Sequence, residues 1–404
     1  MIFSRIHALL LLCSLMFACS STPPLGDPEM PYPPPHEPKV GDVLHVPTGI
    51  FVTQEQMLAA ATDAKIIYVG ETHDNLASHR LELALLKTLA ERYPGQVALG
   101  MEMMTHEQQT VLDRWVAGEL SERELLEKTR WYEIWRMDFD YYKELFLLCR
   151  DKKIPIIGLN ATKAEVNAVA SGDFSKLDEE RRKQIPPLDM TDPYQRAMTK
   201  SVFGGHSHGS GDKERFLRVQ TLWDEMMAAS VARYLASPQG NGKHMLVIAG
   251  GHHVSYGFGI PRRVFRRLPV SYVLIGNEDI EFPDGKKEKV MDVTLPDMPM
   301  PAFDYVQYTR YESLDKKRAR LGVLLDENAK GVEIKAVLPS SAAARVGLQK
   351  GDILQAIDGE TVSKSFDVIY AIKQKQPGDE VELLIEREGE SKQLKVHFDE
   401  KNSD

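Results

Sequence analysis

The chain has 404 residues, of which 43% are hydrophobic and 27% are charged, and its formal net charge is -9. This composition excludes a disordered or collagen-like chain, and the length is enough for two or three folded domains. The acidic balance argues against nucleic acid as a general partner, because binding to phosphates requires a basic surface.

Residues 1–18 predict an export signal. Arg5 supplies an early positive charge, and the apolar run that follows it ends at Leu15. This run is too short to remain in a membrane as a spanning helix. The residues that end at Cys19 resemble a bacterial lipobox, in which the cysteine becomes the lipidated first residue and anchors the protein to the membrane. Ser20 follows, as in lipoproteins sorted to the outer membrane, and an ordinary signal peptide is the alternative.

Residues 19–42 predict an extended tether that holds the folded part away from the membrane, because eight prolines lie between Ser21 and Pro38. Cys13 lies in the signal and Cys19 is the predicted lipidation site, so Cys149 is the one cysteine left in the folded part. An intrachain disulfide framework is therefore excluded, and the apolar neighbours of Cys149 predict a buried structural thiol.

Strands and helices alternate from 43 to 280, which predicts an α/β domain with a predominantly parallel sheet covered by helices on both faces. The predicted strands are 66–69, 97–104, 154–159, 245–249 and 270–275. The predicted helices are 57–62, 77–92, 215–235 and 260–268, with capping boxes at Thr53 and Thr105. The less regular segment 161–211 is expected to place helices over the strand ends.

Polar side chains follow three of the predicted strands. Glu71 and His73 come after the first strand, and their spacing puts both side chains on one face of an extended backbone. Glu102 lies near the end of the second strand, and His252 and His253 follow the fourth. The carboxyl ends of parallel strands meet at one edge of a sheet, so we expect these groups to converge, as a metal site or an acid/base site requires. Hydrogen-bonded polar groups without a function are the alternative.

Four segments together resemble the ChaN-type iron-regulated lipoproteins, which are relatives of the Tiki proteins and the erythromycin-esterase-like enzymes. These segments are the GETH motif at 70–73, the strand with Glu102, the Trp-Asp-Glu helix at 215–229 and GGHHVSYGFGIP at 250–261. The resemblance covers roughly 43–277. It implies haem binding, with a tyrosine on the iron, histidine near the propionates and haems paired at a homodimer interface. Tyrosinate is a hard anionic ligand that suits ferric haem.

Two tyrosines are candidates for the haem ligand under this resemblance. Tyr256 lies within the second histidine motif, and Tyr194 precedes the glycine-rich stretch 204–211. The histidines that could assist them are His73, His206, His208, His252 and His253. The glycine-rich stretch has the flexibility of a lid, and a loop without a function is the alternative for it.

The Tiki-like and esterase-like relatives imply hydrolysis instead. In that case Glu71, His73, Glu102 and His253 would hold a divalent metal ion or move protons, because histidine can activate water and a buried carboxylate can act as a base. The sequence lacks the HExxH helix motif of zinc proteases, so this alternative depends on analogy within the superfamily.

Residues 281–304 are rich in proline and charge and predict a linker, and 305–400 predict a small, mostly-β domain. The segments around RLGV, PSSAA, GLQKGDIL and IDG resemble a PDZ domain. This resemblance implies that the backbone donors of Leu321, Gly322 and Val323 bind a peptide C-terminus while the peptide adds a strand to the sheet. A PDZ module that only packs against its neighbour is the alternative.

The predicted function is therefore haem binding for iron uptake by a lipid-anchored protein of the bacterial outer membrane, facing the periplasm or the cell surface. The PDZ domain is expected to recruit a peptide or protein C-terminus. A metal-dependent hydrolase and a scaffold with a degenerate pocket are the two alternatives.

Overall fold

The structure is a computed structural model that describes residues 32–206, 212–283, 298, 300–314 and 318–399. The predicted signal, Cys19, the first part of the tether and His208 lie outside the described residues, as does most of the predicted linker. Within the described part, no helix combines the length and the apolarity that crossing a bilayer demands. The chain divides into two compact units, which contain residues 1–109 with 144–312 and residues 110–143 with 313–404.

The described residues form two β-sheets and the helices that pack on them. The strands are β1 Val43–His45, β2 Ile50–Val52, β3 Ile66–Glu71, β4 Val97–Thr105, β5 Ile156–Asn160, β6 His244–Gly250, β7 Tyr272–Glu281, β8 Tyr305–Arg310, β9 Val323–Asn328, β10 Gly331–Val337, β11 Ile353–Ile357, β12 Glu360–Thr361, β13 Glu380–Arg387 and β14 Glu390–His397. The helices are α1 Gln54–Ala61, α2 Leu76–Arg92, α3 Gln109–Ala117, α4 Glu122–Lys128, α5 Trp131–Ile134, α6 Lys143–Lys152, α7 Lys163–Ser171, α8 Glu179–Gln184, α9 Pro193–His206, α10 Lys213–Ala236, α11 Gly251–Val254, α12 Ile260–Arg267, α13 Ala342–Arg345 and α14 Ser365–Lys373.

The first unit is built on an eight-stranded sheet in the order β2-β1-β8-β7-β3-β6-β4-β5. The six strands from β8 to β5 pair in parallel, while β1 pairs antiparallel with both β2 and β8. Every residue of β3 and β4 is buried, which is why their sequences are almost continuous apolar runs. The predicted α/β fold class is confirmed. Cys149 is buried, as its neighbours predicted.

Capping residues mark the starts of several helices in this unit. Thr53 and Gln56 form a capping box at the start of α1, and Thr105 and Gln108 form another after β4, as the sequence predicts. The side chain of Asn75 accepts a hydrogen bond from the backbone of Ala77 and so begins α2 directly after the GETH motif. The short path from β3 to α2 places residues of the helix beside the end of the strand.

The second unit contains an antiparallel sheet in the order β14-β13-β11-β10-β9, with β12 paired to β11. Its core includes Ile334, Leu354 and Leu383, and α14 packs onto it through Val368 and Ile372. Strand β9 lies at the edge of the sheet. The small β domain expected at the end of the chain is therefore present.

Two observations bear on the expected domain boundaries. The structure places β8 in the first sheet, where it pairs with β7 and β1, so the first unit extends beyond the start that was expected for the PDZ domain at 305. Residues 110–143, which we name the helical insert, belong to the second unit, although the sequence placed them within 43–280. A strand pattern or an amphipathic pattern shows that an element has a face to bury, but it does not show which partner buries it.

Candidate functional site

The carboxyl ends of β3, β4 and β6 lie side by side at one edge of the first sheet. Strand β6 is between the other two, with Gly250 opposite Glu71 and Ile248 opposite Met101. The order of the strands in the sheet therefore brings the ends of distant segments of the chain together, as the strand-end argument predicted. The structure gathers Glu71, His73, Glu102 and His253 here, in two neighbouring groups.

The first group joins Glu71 to the start of α2. Glu71 accepts a short hydrogen bond from Nδ1 of His73, and its second oxygen lies 3.6 Å from Nδ1 of His79. His79 is 3.0 Å from Glu82, one turn further along the helix. His79 and both glutamates are buried, whereas the His73 side chain keeps 24% of its surface exposed. His73 is thus the member of this group that solvent reaches.

The second group holds His253 between two carboxylates. Nδ1 of His253 donates a 2.6 Å hydrogen bond to Asp224 of α10, and Nε2 lies 3.4 Å from Glu102. Glu102 also accepts a 2.7 Å hydrogen bond from the backbone of Gly250. The second oxygen of Asp224 accepts a hydrogen bond from Gln195. His253 is fixed from both sides, and its ring is 1% exposed.

Gly250 lies where the two groups meet. A Cβ at this position would be 3.2 Å from Nε2 of His73 and 3.6 Å from Oε2 of Glu102. This spacing is tighter than most Cβ contacts, so a side chain here would push His73 away from Glu102. The glycine of the GGHH segment lets the two groups form one polar cluster.

The electrostatics of the second group favour a charged imidazole. Burial acts to lower the pKa of His253, but the negative charges of Glu102 and Asp224 outweigh it and raise the pKa to about 10. Burial acts to raise the pKa of Glu102, and the positive charges of His253 and His73 reverse this and hold the pKa far below its usual range. At neutral pH His253 is therefore a buried imidazolium between the carboxyl groups of Glu102 and Asp224.

The first group keeps one proton between two glutamates. Burial, together with the charge of Glu71, raises the pKa of Glu82 well above its ordinary value. Burial acts to raise the pKa of Glu71 as well, but hydrogen bonding to His73 and the charge of that imidazole lower it overall. Burial lowers the pKa of His79. The opposite directions of these shifts favour an ionised Glu71 and place the proton of the pair on Glu82.

Three residues of this cluster were not predicted from the sequence as site residues. They are His79, Glu82 and Asp224. The sequence feature that could have identified them is a polar residue within an apolar pattern. Such residues are a histidine and a glutamate on the apolar face of α2 and an aspartate among the apolar residues of α10. Glu71, His79 and Glu82 each offer a ligand atom within 4.8 Å of the others, so they are the set among the described residues whose spacing suits a metal ion. The predicted metal set of Glu71, His73, Glu102 and His253 is instead divided between the two groups.

The candidate tyrosines lie on a separate aromatic surface beyond α11. Tyr194 stacks on Phe258 with ring centroids 4.9 Å apart, and Tyr256 stacks near the same ring at 5.6 Å. The Arg262 guanidinium lies 5.2 Å from the Phe258 centroid and forms an ion pair with Asp192. Tyr194 is 42% exposed and Tyr256 is partly buried. We name Tyr194, Tyr256, Phe258 and Arg262 the aromatic surface.

The remaining predicted histidines are placed differently. His252 is partly buried, and its Nε2 lies 3.2 Å from the side-chain oxygen of Gln220. His206 ends α9, and its side chain lies outside the described part of the structure. The cavity that His252 lines together with Asp224 and Phe258 has a volume of about 10 Å³. A macrocycle therefore cannot enter the protein between His252 and Phe258.

The predicted peptide-binding residues form a turn before β9. Gly322 has φ of +80°, and a Cβ at this position would be 2.2 Å from the Cβ of Ser341, so the turn requires glycine. The carbonyl oxygens of Leu321 and Gly322 accept hydrogen bonds from Ala343 and Leu338. A cavity of about 190 Å³ beside this turn is lined by Gly322, Leu338 and Ser341, among others.

Comparisons with known proteins give two family matches along the chain, and the first of them spans the helical insert. The family described as haem-binding uptake, Tiki superfamily, ChaN matches residues 57–264, and the PDZ domain family matches residues 319–398. The structure of ChaN from Campylobacter jejuni, described as showing cofacial heme binding, is 19% identical, covers 67% of this chain and 97% of that chain, and has a TM-score of 0.49.

The curated relatives match the tail of the chain. A probable periplasmic serine endoprotease of the DegP-like kind from Pseudomonas fulva is 37% identical over 70 residues, which are 17% of this chain and 15% of that protein. The corresponding protein from Halomonas elongata is 36% identical over 70 residues, again 17% of this chain and 15% of the relative. The chain thus spans only a small part of the length of these relatives. Since the first family model covers about half of the sequence, the chain belongs to the ChaN family of haem-binding uptake proteins and carries a PDZ domain at residues 319–398.

Proposed function

We propose that this protein binds haem at the aromatic surface for iron uptake, and that its PDZ domain recruits a protein partner through a free peptide C-terminus. Family membership supports haem as the ligand. The observation that carries the site is the backbone of Tyr256, which has φ of 57° and ψ of 4°. A bulky residue in this left-handed region is strained, and such strain concentrates at ligand sites.

The polar cluster explains how this strained conformation is held. His253 is fixed by Asp224 and Glu102, and Ser255 donates a 2.6 Å hydrogen bond to the carbonyl oxygen of Gly251. The backbone N–H of Tyr256 donates to the carbonyl oxygen of Ala302 at 2.8 Å. The buried imidazolium therefore positions the segment that presents Tyr256, and we assign the cluster this positioning role.

The residues of the aromatic surface suit haem chemically. The bound group would supply a ferric iron, for which a tyrosine oxygen is a suitable ligand, and Tyr256 is the proposed donor. Tyr194, which is 42% exposed, offers a ring face for an apolar macrocycle, and the buried ring of Phe258 supports it from below. Arg262, whose side chain is 30% exposed and pairs with Asp192, would supply a positive charge for a propionate. His252 is the partly buried imidazole that precedes this segment, whereas His253 is buried within the polar cluster.

The exposure of this surface also supports a homodimer. A flat apolar ligand that rests on one surface leaves its other face in water, and a second copy of the chain would cover that face. We further propose that the mature protein is anchored in the bacterial outer membrane by a lipid on Cys19. The export signal and the lipobox-like ending are the sequence features that support this location.

Haem titration of tyrosine variants tests the proposed ligand. We expect Tyr256→Phe to remove the tyrosinate charge-transfer band and to weaken haem binding at least tenfold, or about 1.4 kcal/mol. Tyr194→Phe keeps the stacking ring and should change affinity by less than about threefold. Tyr32→Phe is the control, because Tyr32 is a 64% exposed tyrosine on another part of the surface, beside Gly49. An unchanged spectrum for Tyr256→Phe would exclude this tyrosine as the ligand.

A metal-dependent hydrolase is the second candidate function, and the spacing of Glu71, His79 and Glu82 is the observation that favours it. His73, which is the exposed member of the first group, would then exchange protons with water. Metal analysis of the purified protein tests this function. Bound metal that Glu82→Gln removes, together with hydrolysis that a chelator abolishes, would support it, and metal-free protein without turnover would exclude it.

A further inference from the structure

A cavity of about 380 Å³ lies between α9 and the start of α10 in the first unit. Its volume falls within the range of small-molecule sites, about 300–1,000 Å³. The residues assigned above to haem do not line it. The side chains that line it are Arg196, Thr199, Lys200, Phe203, Lys213, Glu214, Phe216 and Leu217.

Three apolar side chains line part of this cavity. The rings of Phe203 and Phe216 meet edge to face, with their centroids 5.3 Å apart and their planes at 64°. Both rings are partly buried, and Leu217 is buried beside them. An apolar chain that enters the cavity therefore loses contact with water and packs against rings that are already held in place.

Three positive side chains and one negative side chain line the same cavity. Arg196 forms a 2.9 Å ion pair with Glu214, so these two charges compensate each other. Lys200 and Lys213 are exposed, and no carboxylate among the described residues lies within ion-pair distance of either amine. Nζ of Lys213 lies 6.0 Å from the ring centroid of Phe203, so a positive charge borders the apolar part. The lining therefore offers two uncompensated positive charges, although the whole chain is acidic.

The backbone of α10 is not the group that would bind an anion here. Asp212 caps this helix and accepts hydrogen bonds from the backbone N–H groups of Glu214 and Arg215, at 3.0 and 3.1 Å. These donors are satisfied, and the carboxylate of Asp212 already lies at the positive end of the helix. Recognition of an anionic group therefore falls to the amines of Lys200 and Lys213.

Helix α9 presents one side to the cavity and another to the polar cluster. The residues on the cavity side have the i, i+3, i+4 and i+7 spacing of one helix face, and they are Arg196, Thr199, Lys200 and Phe203. On the adjacent side, the Gln195 amide donates a 2.7 Å hydrogen bond to Asp224 of the polar cluster. The cavity is therefore a site of its own and not an extension of the cluster.

We propose that this cavity binds a single-chain amphiphile with an anionic head group. The chain packs on Phe203, Phe216 and Leu217, and the head group pairs with Lys200 and Lys213. Free fatty acids and single-chain acidic phospholipids share this chemistry. Neither an uncharged chain nor a small polar anion satisfies both parts of the lining. The inference gives the protein a lipid ligand in addition to the proposed haem, and it does not depend on haem binding.

Titration calorimetry on the full chain with Cys19→Ser tests the proposal. This substitution removes the proposed lipid anchor, so no detergent is needed. The probes are dodecanoate for the free fatty acids, lysophosphatidylglycerol for the acidic phospholipids and dodecyl maltoside as the uncharged control, each below its micelle concentration. We expect an anionic probe to bind with a stoichiometry of about one, and at least about tenfold more tightly than dodecyl maltoside. The tighter of the two anionic probes identifies the source of the ligand.

The length of the chain tests the apolar part of the site. Each fully buried methylene contributes about fourfold in affinity, so decanoate should bind at least about fivefold more weakly than dodecanoate. Phe203→Ala should weaken the binding of dodecanoate by about fivefold or more, and amide hydrogen exchange in β6 checks that the first unit remains folded.

Lysine variants test the head-group part, and they are fold-safe because both side chains are exposed. The double variant Lys200→Gln with Lys213→Gln should weaken dodecanoate by about tenfold or more and change dodecyl maltoside by less than about twofold. Lys183→Gln is the matched control, because it removes the charge of an exposed lysine of the same unit that does not line the cavity. It should leave dodecanoate binding within about twofold of the native value.

Three outcomes would overturn the proposal. The first is that neither anionic probe binds, or that dodecyl maltoside binds as tightly as they do. The second is an affinity for the anionic probes that the double lysine variant leaves unchanged, which would place the amphiphile elsewhere. The third is competitive displacement of dodecanoate by haem, which would make the cavity part of the haem site. The proposed haem ligand, Tyr256, is tested separately by its own variant.

Discussion

Charged groups are used differently in the polar cluster of the first unit and at the contact between the helical insert and α14. In the cluster, His253 lies between the carboxyl groups of Glu102 and Asp224, and all three side chains are buried. At the insert, Arg123 forms an ion pair with Asp367, but the Arg123 side chain is 44% exposed and Asp367 also accepts backbone hydrogen bonds from Ser363 and Lys364. Loss of one buried charge leaves others without compensation, whereas loss of a half-exposed charge lets water replace it.

The comparison is tested most strongly by His253→Leu. This change leaves Glu102 and Asp224 as buried anions without their shared cation, and we expect the first unit to lose about 3–5 kcal/mol of stability. Amide hydrogen exchange in β6 measures this loss within one unit. His252→Leu is the matched control, because it removes the adjacent and more exposed imidazole, and it should cost less than about 1 kcal/mol. Equal losses in the two variants would show that the charges of the cluster are not coupled.

Alkaline pH should weaken the first unit through the same imidazole. The pKa of His253 is raised to about 10 in the folded chain from an ordinary value near 6.5, so the folded state binds the extra proton between these values. Its contribution to stability is complete below about pH 6.5 and is lost as the pH rises toward 10. Exchange in β6 measured from pH 6.5 to 10 should show this decline after correction for intrinsic exchange rates. The His253→Leu variant should lack it, and a parallel decline in that variant would assign the effect to other groups.

The two glutamates of the first group should respond unequally to the same substitution. Glu82 is protonated, so Glu82→Gln replaces a neutral carboxyl by a neutral amide of similar shape and should cost less than about 1 kcal/mol. Glu71 is the ionised partner of His73, and Glu71→Gln should cost about 1–3 kcal/mol. Amide hydrogen exchange in β3, measured over a series of urea concentrations, compares the free energies of unfolding of the two variants. A larger cost for Glu82→Gln would reverse the proposed protonation states.

The smallest effect is expected at the helical insert. Arg123→Ala removes one half-exposed ion pair and its contacts with the rings of Phe366 and Tyr370, so we expect a loss of about 0.5–1 kcal/mol in the second unit. Exchange in β11 and β13 reports on that unit, and Arg114→Ala is a control, since Arg114 pairs only with Glu119 at the surface. A loss of stability as large as that for His253→Leu would show that the half-exposed charge contributes as much as the buried one.

The sequence predicted the edge of the first sheet well because apolar runs that end in polar residues identify both the strands and their ends. Glu71, His73, Glu102 and His253 were found in this way. His79 and Glu82 were missed because α2 has the ordinary leucine spacing of a surface helix, and a buried proton-sharing pair on it leaves no separate pattern. Asp224 was part of the family resemblance, but its role depends on a contact with His253 that lies 29 positions away.

The sequence also did not show which segments that are far apart in the chain pack against each other. Residues 110–143 lie within the range predicted for the α/β domain, but Tyr132 stacks on Phe366, more than two hundred positions later in the chain. Strand β8 was similarly assigned to the wrong sheet. Periodicity describes one element at a time, so it cannot distinguish two sheets that could each accept the same strand.

The path of the chain through its two units has a consequence for synthesis. The helical insert leaves the ribosome about 170 residues before the segment that starts at 313, to which it belongs. At roughly 5–20 residues per second this interval is on the order of ten to thirty seconds. During that time Arg123 and Tyr132 do not yet have the helix α14 to pack on. Ending the gene before the PDZ domain would make that temporary exposure permanent.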